Sequence, residues 1–163
     1  MLKEVIGDLI QMAHQGKFDV IAHGCNCFCT MGAGIAPQMA EAFGAHKFPL
    51  ESKEYRGDIN KLGQIDSQLC ATRSGAFIAV VNCYTQYGFG MNHANGTVQP
   101  LDYTALKMCF KKMNYIFKGK TIGLPWIGCG LAGGDIEFVK TMIETIFTDC
   151  DVILVEYDKS RGR

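Results

Sequence analysis

The residues best suited to chemistry lie in two glycine-rich segments. The first reads Ala22-His23-Gly24-Cys25-Asn26-Cys27-Phe28-Cys29-Thr30-Met31-Gly32-Ala33-Gly34-Ile35-Ala36, and the second Pro125-Trp126-Ile127-Gly128-Cys129-Gly130-Leu131-Ala132-Gly133-Gly134-Asp135. Each stands between a strand-like run and a helix-like one. A helix start offers main-chain N–H groups with no partner inside the helix, together with the positive end of its dipole, and glycines let an anion approach closely. Two such loops side by side can cradle a diphosphate. Tight turns that need positive φ are the other reading of any one of these glycines.

Two other anion-binding patterns fail. Gly32-Ala33-Gly34 begins like G-x-G-x-x-G, but Pro37 stands where the third glycine belongs and no acidic residue closes a strand about twenty residues later. A G-K-S/T phosphate loop is absent. Cys25-x-Cys27-x-Cys29 beside His23 raises the question of zinc, yet alternate cysteines on a turn lack the two-by-two spacing of structural zinc sites, so no metal is expected.

The elements that must position these loops can be read from hydrophobic spacing. Leu2–Ile6 alternates as a strand, Leu9–His14 has helical spacing, and Phe18–Ala22 is a compact apolar run expected to form a buried strand. Ile35–Phe43, with Pro37 in its first turn, predicts a helix that stops at Gly44, and a polar loop is expected from Ala45 to Gly63. Ala76–Asn82 reads as a central strand covered on both faces, and Gln86–Gln99 as a long loop carrying Tyr87, Phe89 and His93. Helices over Leu101–Phe117 and Asp135–Phe147, strands over Thr121–Pro125 and Val152–Tyr157, and a frayed polar tail at 159–163 complete the pattern. Strands alternating with helices predict one α/β domain over residues 1–158, a three-layer α/β/α sandwich on a mixed, largely parallel sheet. Ligands in such sheets sit at the carboxyl ends of strands, where both glycine segments fall.

Composition narrows the partners. The 163 residues hold 16 Lys+Arg against 16 Asp+Glu, so there is no global positive field of the kind that holds duplex nucleic acid. Lys107, Lys111, Lys112, Lys118 and Lys120 fit a solvated helix face. No run of about 18 apolar residues suggests a membrane span, and Met1-Leu2-Lys3-Glu4 does not open a signal peptide, so a cytoplasmic location is expected. Several of the eight cysteines, Cys83 and Cys150 among them, lie in apolar segments where a reduced thiol packs as a small hydrophobe.

Val5-Ile6-Gly7-Asp8-Leu9, the H-x-x-N of His23 and Asn26 followed by Met31-Gly32-Ala33-Gly34-Ile35-Ala36, and Ile127-Gly128-Cys129-Gly130-Leu131-Ala132-Gly133-Gly134-Asp135 together resemble the macrodomain, the ADP-ribose-binding fold. The resemblance spans nearly the whole chain. Within the family it is similar to the subgroup holding ADP-ribose 1''-phosphate phosphatases and the terminal ADP-ribose protein glycohydrolase. It implies ADP-ribose or ADP-ribose 1''-phosphate as ligand, an ADP-ribosylated macromolecule as a further partner, and no cofactor.

The resemblance also implies roles. Asp8 would accept the adenine amino group, with a helix N-cap as its structural alternative, Leu9 would donate its main-chain N–H to the base, and Tyr157 would stack on it. Cys25 and Asn26 would border the distal ribose, Asn26 through its amide unless it merely forms a turn. Met31, Gly32, Ala33, Gly34, Ile35 and Ala36 would wrap that ribose and its phosphate. Gly128, Cys129, Gly130, Leu131, Ala132, Gly133 and Gly134 would close over the diphosphate. Hydrolysis needs a water aimed at the anomeric carbon or at an attached phosphorus, with a group to orient or deprotonate it. Asp135 and His23 are the candidates beside Asn26, although Asp135 is equally placed to cap a helix and His23 to be a structural histidine. The glycohydrolase's lysine nucleophile has no counterpart, since Tyr84 or Thr85 stands in its neighbourhood, and Ala132 replaces the paired aspartate. The phosphatase pattern fits better; removal of ADP-ribose from a modified protein or nucleic acid by direct water attack is the second reading, and a reader that binds without turnover is the third.

Overall fold

A computed structural model describes residues 2–89, 99–129 and 132–157. Strand β1 (Leu2–Gly7) leads directly into helix α1 (Leu9–His14), because the Asp8 carboxylate between them accepts from Gln11 N at 3.1 Å and satisfies a first-turn donor. Then come β2 (Val20–Asn26) and α2 (Ala36–Phe43), which has Pro37 in its first turn and ends at Gly44 in the left-handed conformation, φ 68°. β3 (Ile65–Ala71), β4 (Phe77–Gln86), α3 (Tyr103–Ile116), β5 (Thr121–Leu124), α4 (Ile136–Ile146) and β6 (Asp151–Tyr157) complete the chain.

The six strands form one sheet in the order β1-β6-β5-β2-β4-β3, parallel throughout except for β3, which runs antiparallel to β4. Alternate residues of the central strands feed two separate cores. Val20, Ala22, Val81 and Ile122 pack with Leu106, Phe110 and Met113 of α3 and Val139 and Ile143 of α4. Ile21, Ile78 and Val80 pack with Leu9 and Ala13 of α1 and Met39 and Phe43 of α2. Each of the larger side chains among them contributes about 2 kcal/mol on burial, so both faces of the sheet are held. This is the α/β/α sandwich expected from the alternation of elements.

Three local readings change. The strand expected at Phe18–Ala22 starts at Val20 and runs on through His23, Gly24 and Cys25 to Asn26, so half of what read as the first glycine loop is sheet. The expected polar loop at 45–63 is wound into four 3₁₀ turns, the last of them Ile59–Lys61. β3 escaped the pattern because it is an edge strand, with Ser67, Gln68 and Leu69 all exposed. The tail at 159–163, the segment 90–98 with His93, and Gly130 and Leu131 lie outside the described residues.

Candidate functional site

The chain leaves β2 towards β4 and β3, and leaves β5 towards β6. β2 and β5 are hydrogen-bonded neighbours, so their carboxyl ends mark the point where the strand order reverses, the usual ligand crevice of an open α/β sheet. The loop 27–35 opens there from β2 and the loop 125–135 from β5. α2 and α4, which the loops enter, belong to opposite layers, so the two loops flank that point from opposite faces of the sheet.

The glycines of the two walls differ. In the second loop the described ones serve the fold. Gly128 has φ 74°, a Cβ on Gly134 would sit 2.6 Å from Gly128 O and 2.5 Å from Leu101 Cδ2, and Gly134 N donates to Gly128 O at 2.7 Å. Gly133 is left-handed too, φ 77°, with Gln99 Cβ 2.9 Å from where its own Cβ would be. In the first loop, Gly32 has no positive φ and no described atom within 4 Å of its Cβ direction, while Gly34 has φ 64° and equally open surroundings. Met31 and Ile35 are half-buried, Ala33 is exposed and Ala36 is packed away.

The helix starts differ as well. α2 begins at Ile35 with no side-chain cap hydrogen bond among the described residues, and Pro37 in its first turn has no N–H to satisfy. At α4, Asp135 Oδ1 accepts from Phe138 N at 2.9 Å, and Glu137 adds a second carboxylate to the first turn. The expectation of uncapped donors thus holds for the first loop and fails for the second, where the positive helix end is already answered. Asp135 itself is exposed, and its N–H donates to Tyr103 OH at 2.8 Å.

The other candidates are embedded. His23 is fully buried. Its Nε2 lies 2.7 Å from Asn82 Oδ1, and Asn82 Nδ2 donates in turn to Ala45 O at 3.0 Å, so Nε2 carries the proton and Nδ1, which has no partner among the described residues, is the bare acceptor. Burial pushes the ring's pKa down to about 4, and the imidazole is neutral at pH 7. Asn26 turns its amide inward, its Oδ1 accepting from Phe28 N at 2.9 Å and its Nδ2 donating to Thr30 Oγ1 at 2.8 Å. Cys25 is buried beside His23, at 3.6 Å from Nε2, with its thiol raised far above the usual range by desolvation. Burial likewise lifts Cys129 to about 11. Thiolate chemistry at either position is therefore unfavourable.

At the far edge of the sheet, Gly7 of β1 pairs with Tyr157 of β6, Asp8 follows directly as the cap of α1, and the Leu9 side chain is buried. A cleft of about 850 Å³ runs from Asp8 along the α1–α2 seam to Gln38.

No protein-family model matches the chain. An uncharacterised 17.5 kDa protein from the tk-vs intergenic region of Enterobacteria phage T4 is 30% identical over 162 residues, 97% of each chain. The macrodomain of Mycobacterium tuberculosis DarG superposes with a TM-score of 0.72 at 18% identity, over 95% of this chain and 97% of that one. The chain has the macrodomain fold, and it belongs to one family with the phage protein. A Thermosipho africanus DarTG in complex with ADP-ribose is similar to this chain over 98% of its length and 42% of the DarTG chain, with a TM-score of 0.70 and 14% identity.

Sequence reasoning missed two buried charges beside the first loop. Lys61 is 2% exposed and Glu51 8%. Neither has a sequence signal, because both come from the polar stretch that reads as a solvated loop and only tertiary packing brings them inside. Among the described residues no group of histidines, cysteines and acids could hold a metal, the described cysteines form no disulfide, and no helix is long and apolar enough to cross a membrane.

Proposed function

We propose that the crevice between the two loops binds ADP-ribose or ADP-ribose 1''-phosphate, and that the chain hydrolyses a bond at the distal ribose, acting as an ADP-ribose 1''-phosphate phosphatase. Gly32 carries the reading. Gly32 has neither positive φ nor a described atom within 4 Å of its Cβ direction, so no described neighbour requires a glycine there, and close approach by a ligand is a reason for one. The uncapped start of α2 beside it supports an anion there. Asp8, the Leu9 N–H and Tyr157 take the adenine, and the second loop, Gly128–Gly134, covers the diphosphate with main-chain groups. The Thermosipho complex supports the choice of ligand.

For the hydrolytic step, Asp135 orients the attacking water. Its exposed carboxylate uses Oδ1 on the helix, and its place at the mouth of the second loop suits a water approaching the distal ribose. Asn26 fixes the course of the first loop. His23, buried and neutral, acts behind the surface by holding β2 to Asn82. A second reading, an ADP-ribose reader without turnover, is favoured by one observation: Asp135, Asn26 and His23 are each already bonded within the fold.

Titration calorimetry with ADP-ribose on the parent and Gly32→Val tests the binding. Micromolar affinity in the parent is expected, with a loss of roughly tenfold or more in the variant, about 1.4 kcal/mol, at an unchanged melting temperature. No heat from the parent at micromolar ligand sinks the reading. Phosphate release from ADP-ribose 1''-phosphate by Asp135→Asn then separates the hydrolase, whose rate falls, from the reader, which releases nothing even as the parent. Release of ADP-ribose from modified protein or nucleic acid in place of phosphate would change the leaving group and keep the pocket.

A further inference from the structure

We infer that Lys61 is a positioning residue for the distal-ribose wall, its buried ammonium holding the Cys27–Cys29 segment in the shape that presents Gly32 to the ligand. The inference rests on the binding reading above. Lys61 Nζ donates to Cys27 O at 3.4 Å and to Cys29 Sγ at 3.1 Å, and it lies 4.6 Å from the centre of the Tyr84 ring. Both hydrogen-bond partners belong to the first loop. Cys29 is the one non-glycine residue with positive φ among the described residues, φ 60°. A left-handed side-chain residue costs about 1 kcal/mol or more and persists only where its surroundings insist on it. Here the insistence comes from Lys61 on the sulfur, helped by the long contacts of Cys29 Sγ to Leu50 O and Ser52 O at 3.7 Å. Three residues later the chain reaches Gly32.

Burying an ammonium costs several kcal/mol unless counter-charge and hydrogen bonds compensate it. The counter-charge comes from Glu51 and Asp66, whose carboxyls Lys61 pulls down against the burial that raises them. Asp66 is held by Leu50 N at 2.8 Å and Tyr84 OH at 3.3 Å, whereas neither oxygen of Glu51 closes a good hydrogen bond among the described residues. An apolar side chain at position 61 would avoid these costs, and it would have no hold on Cys27 O or Cys29 Sγ. The cluster therefore trades stability for the conformation of one loop.

The test compares ADP-ribose with ADP, which shares the adenine and the diphosphate but lacks the distal ribose. Lys61→Met should weaken ADP-ribose binding roughly tenfold while changing ADP binding by less than about threefold. Equal losses for both ligands would mean that Lys61 is merely structural and would overturn the inference, as would undiminished ADP-ribose binding. Should Lys61→Met fail to fold, Cys29→Ala removes the sulfur that the ammonium holds and must show the same selective loss of ADP-ribose affinity, and equal or absent loss there overturns the inference too. A parent protein that binds no ADP-ribose defeats the binding reading and this one with it. A parent that binds, with an unaffected variant, defeats this one alone.

Discussion

His23 ties a residue of the first glycine segment to the stability of the sheet. Its ring is buried and neutral, and its pKa is lowered from 6.5 to about 4 by desolvation. Between those values the unfolded chain binds a proton that the folded chain refuses, so the stability His23 contributes is present above pH 6.5 and is lost as pH falls towards 4. The shift corresponds to about 3 kcal/mol. Glu51 and Asp66 work in the opposite sense. Burial raises their carboxyls, so their share of stability is present at low pH and drains away as pH rises through their folded values. Urea unfolding of parent and His23→Gln across pH 4 to 6.5 isolates the imidazole, and the parent should lose about 3 kcal/mol relative to the variant. Parallel curves would show that the ring is hydrated in solution.

At the level of elements, the same residue type has two meanings in the two loops. Gly134→Ala would drive a Cβ to within 2.6 Å of Gly128 O, a backbone atom that cannot swing aside, and should destabilise the protein by about 1–3 kcal/mol. Gly32 faces open space, and its replacement should leave the unfolding midpoint where it was. Denaturant titration of Gly134→Ala beside Gly32→Val checks the contrast. The sequence reveals both loops and their order but cannot distinguish these meanings, because a glycine's reason depends on neighbours such as Leu101 that arrive from elsewhere in the chain. The same limit explains the other surprises. Leu9–His14 and the stop at Gly44 were legible because caps and left-handed glycines act locally. The extension of β2 through His23-Gly24-Cys25-Asn26 was not, since what makes that run a strand is pairing with β4 as far as Gln86. β3 is set by its partner in the same way, and the burial of Lys61 follows from four short turns with no periodicity of their own.

For the whole molecule, the separation of the two cores bears on how the crevice behaves. The wall at α2 rests on the cluster around Ile21 and Met39, and the wall at α4 on the cluster around Leu106 and Val139. Regions resting on different packed units can open independently. Amide exchange in the unliganded protein should therefore give different protection to the first turn of α2 and to α4. Saturating ADP-ribose should slow exchange in both together, and protection confined to one wall would place the ligand outside the switch point. The sheet that divides the layers would let each wall open separately. A ligand held by both is then a cross-brace, and its lifetime in the crevice is set by whichever layer relaxes first.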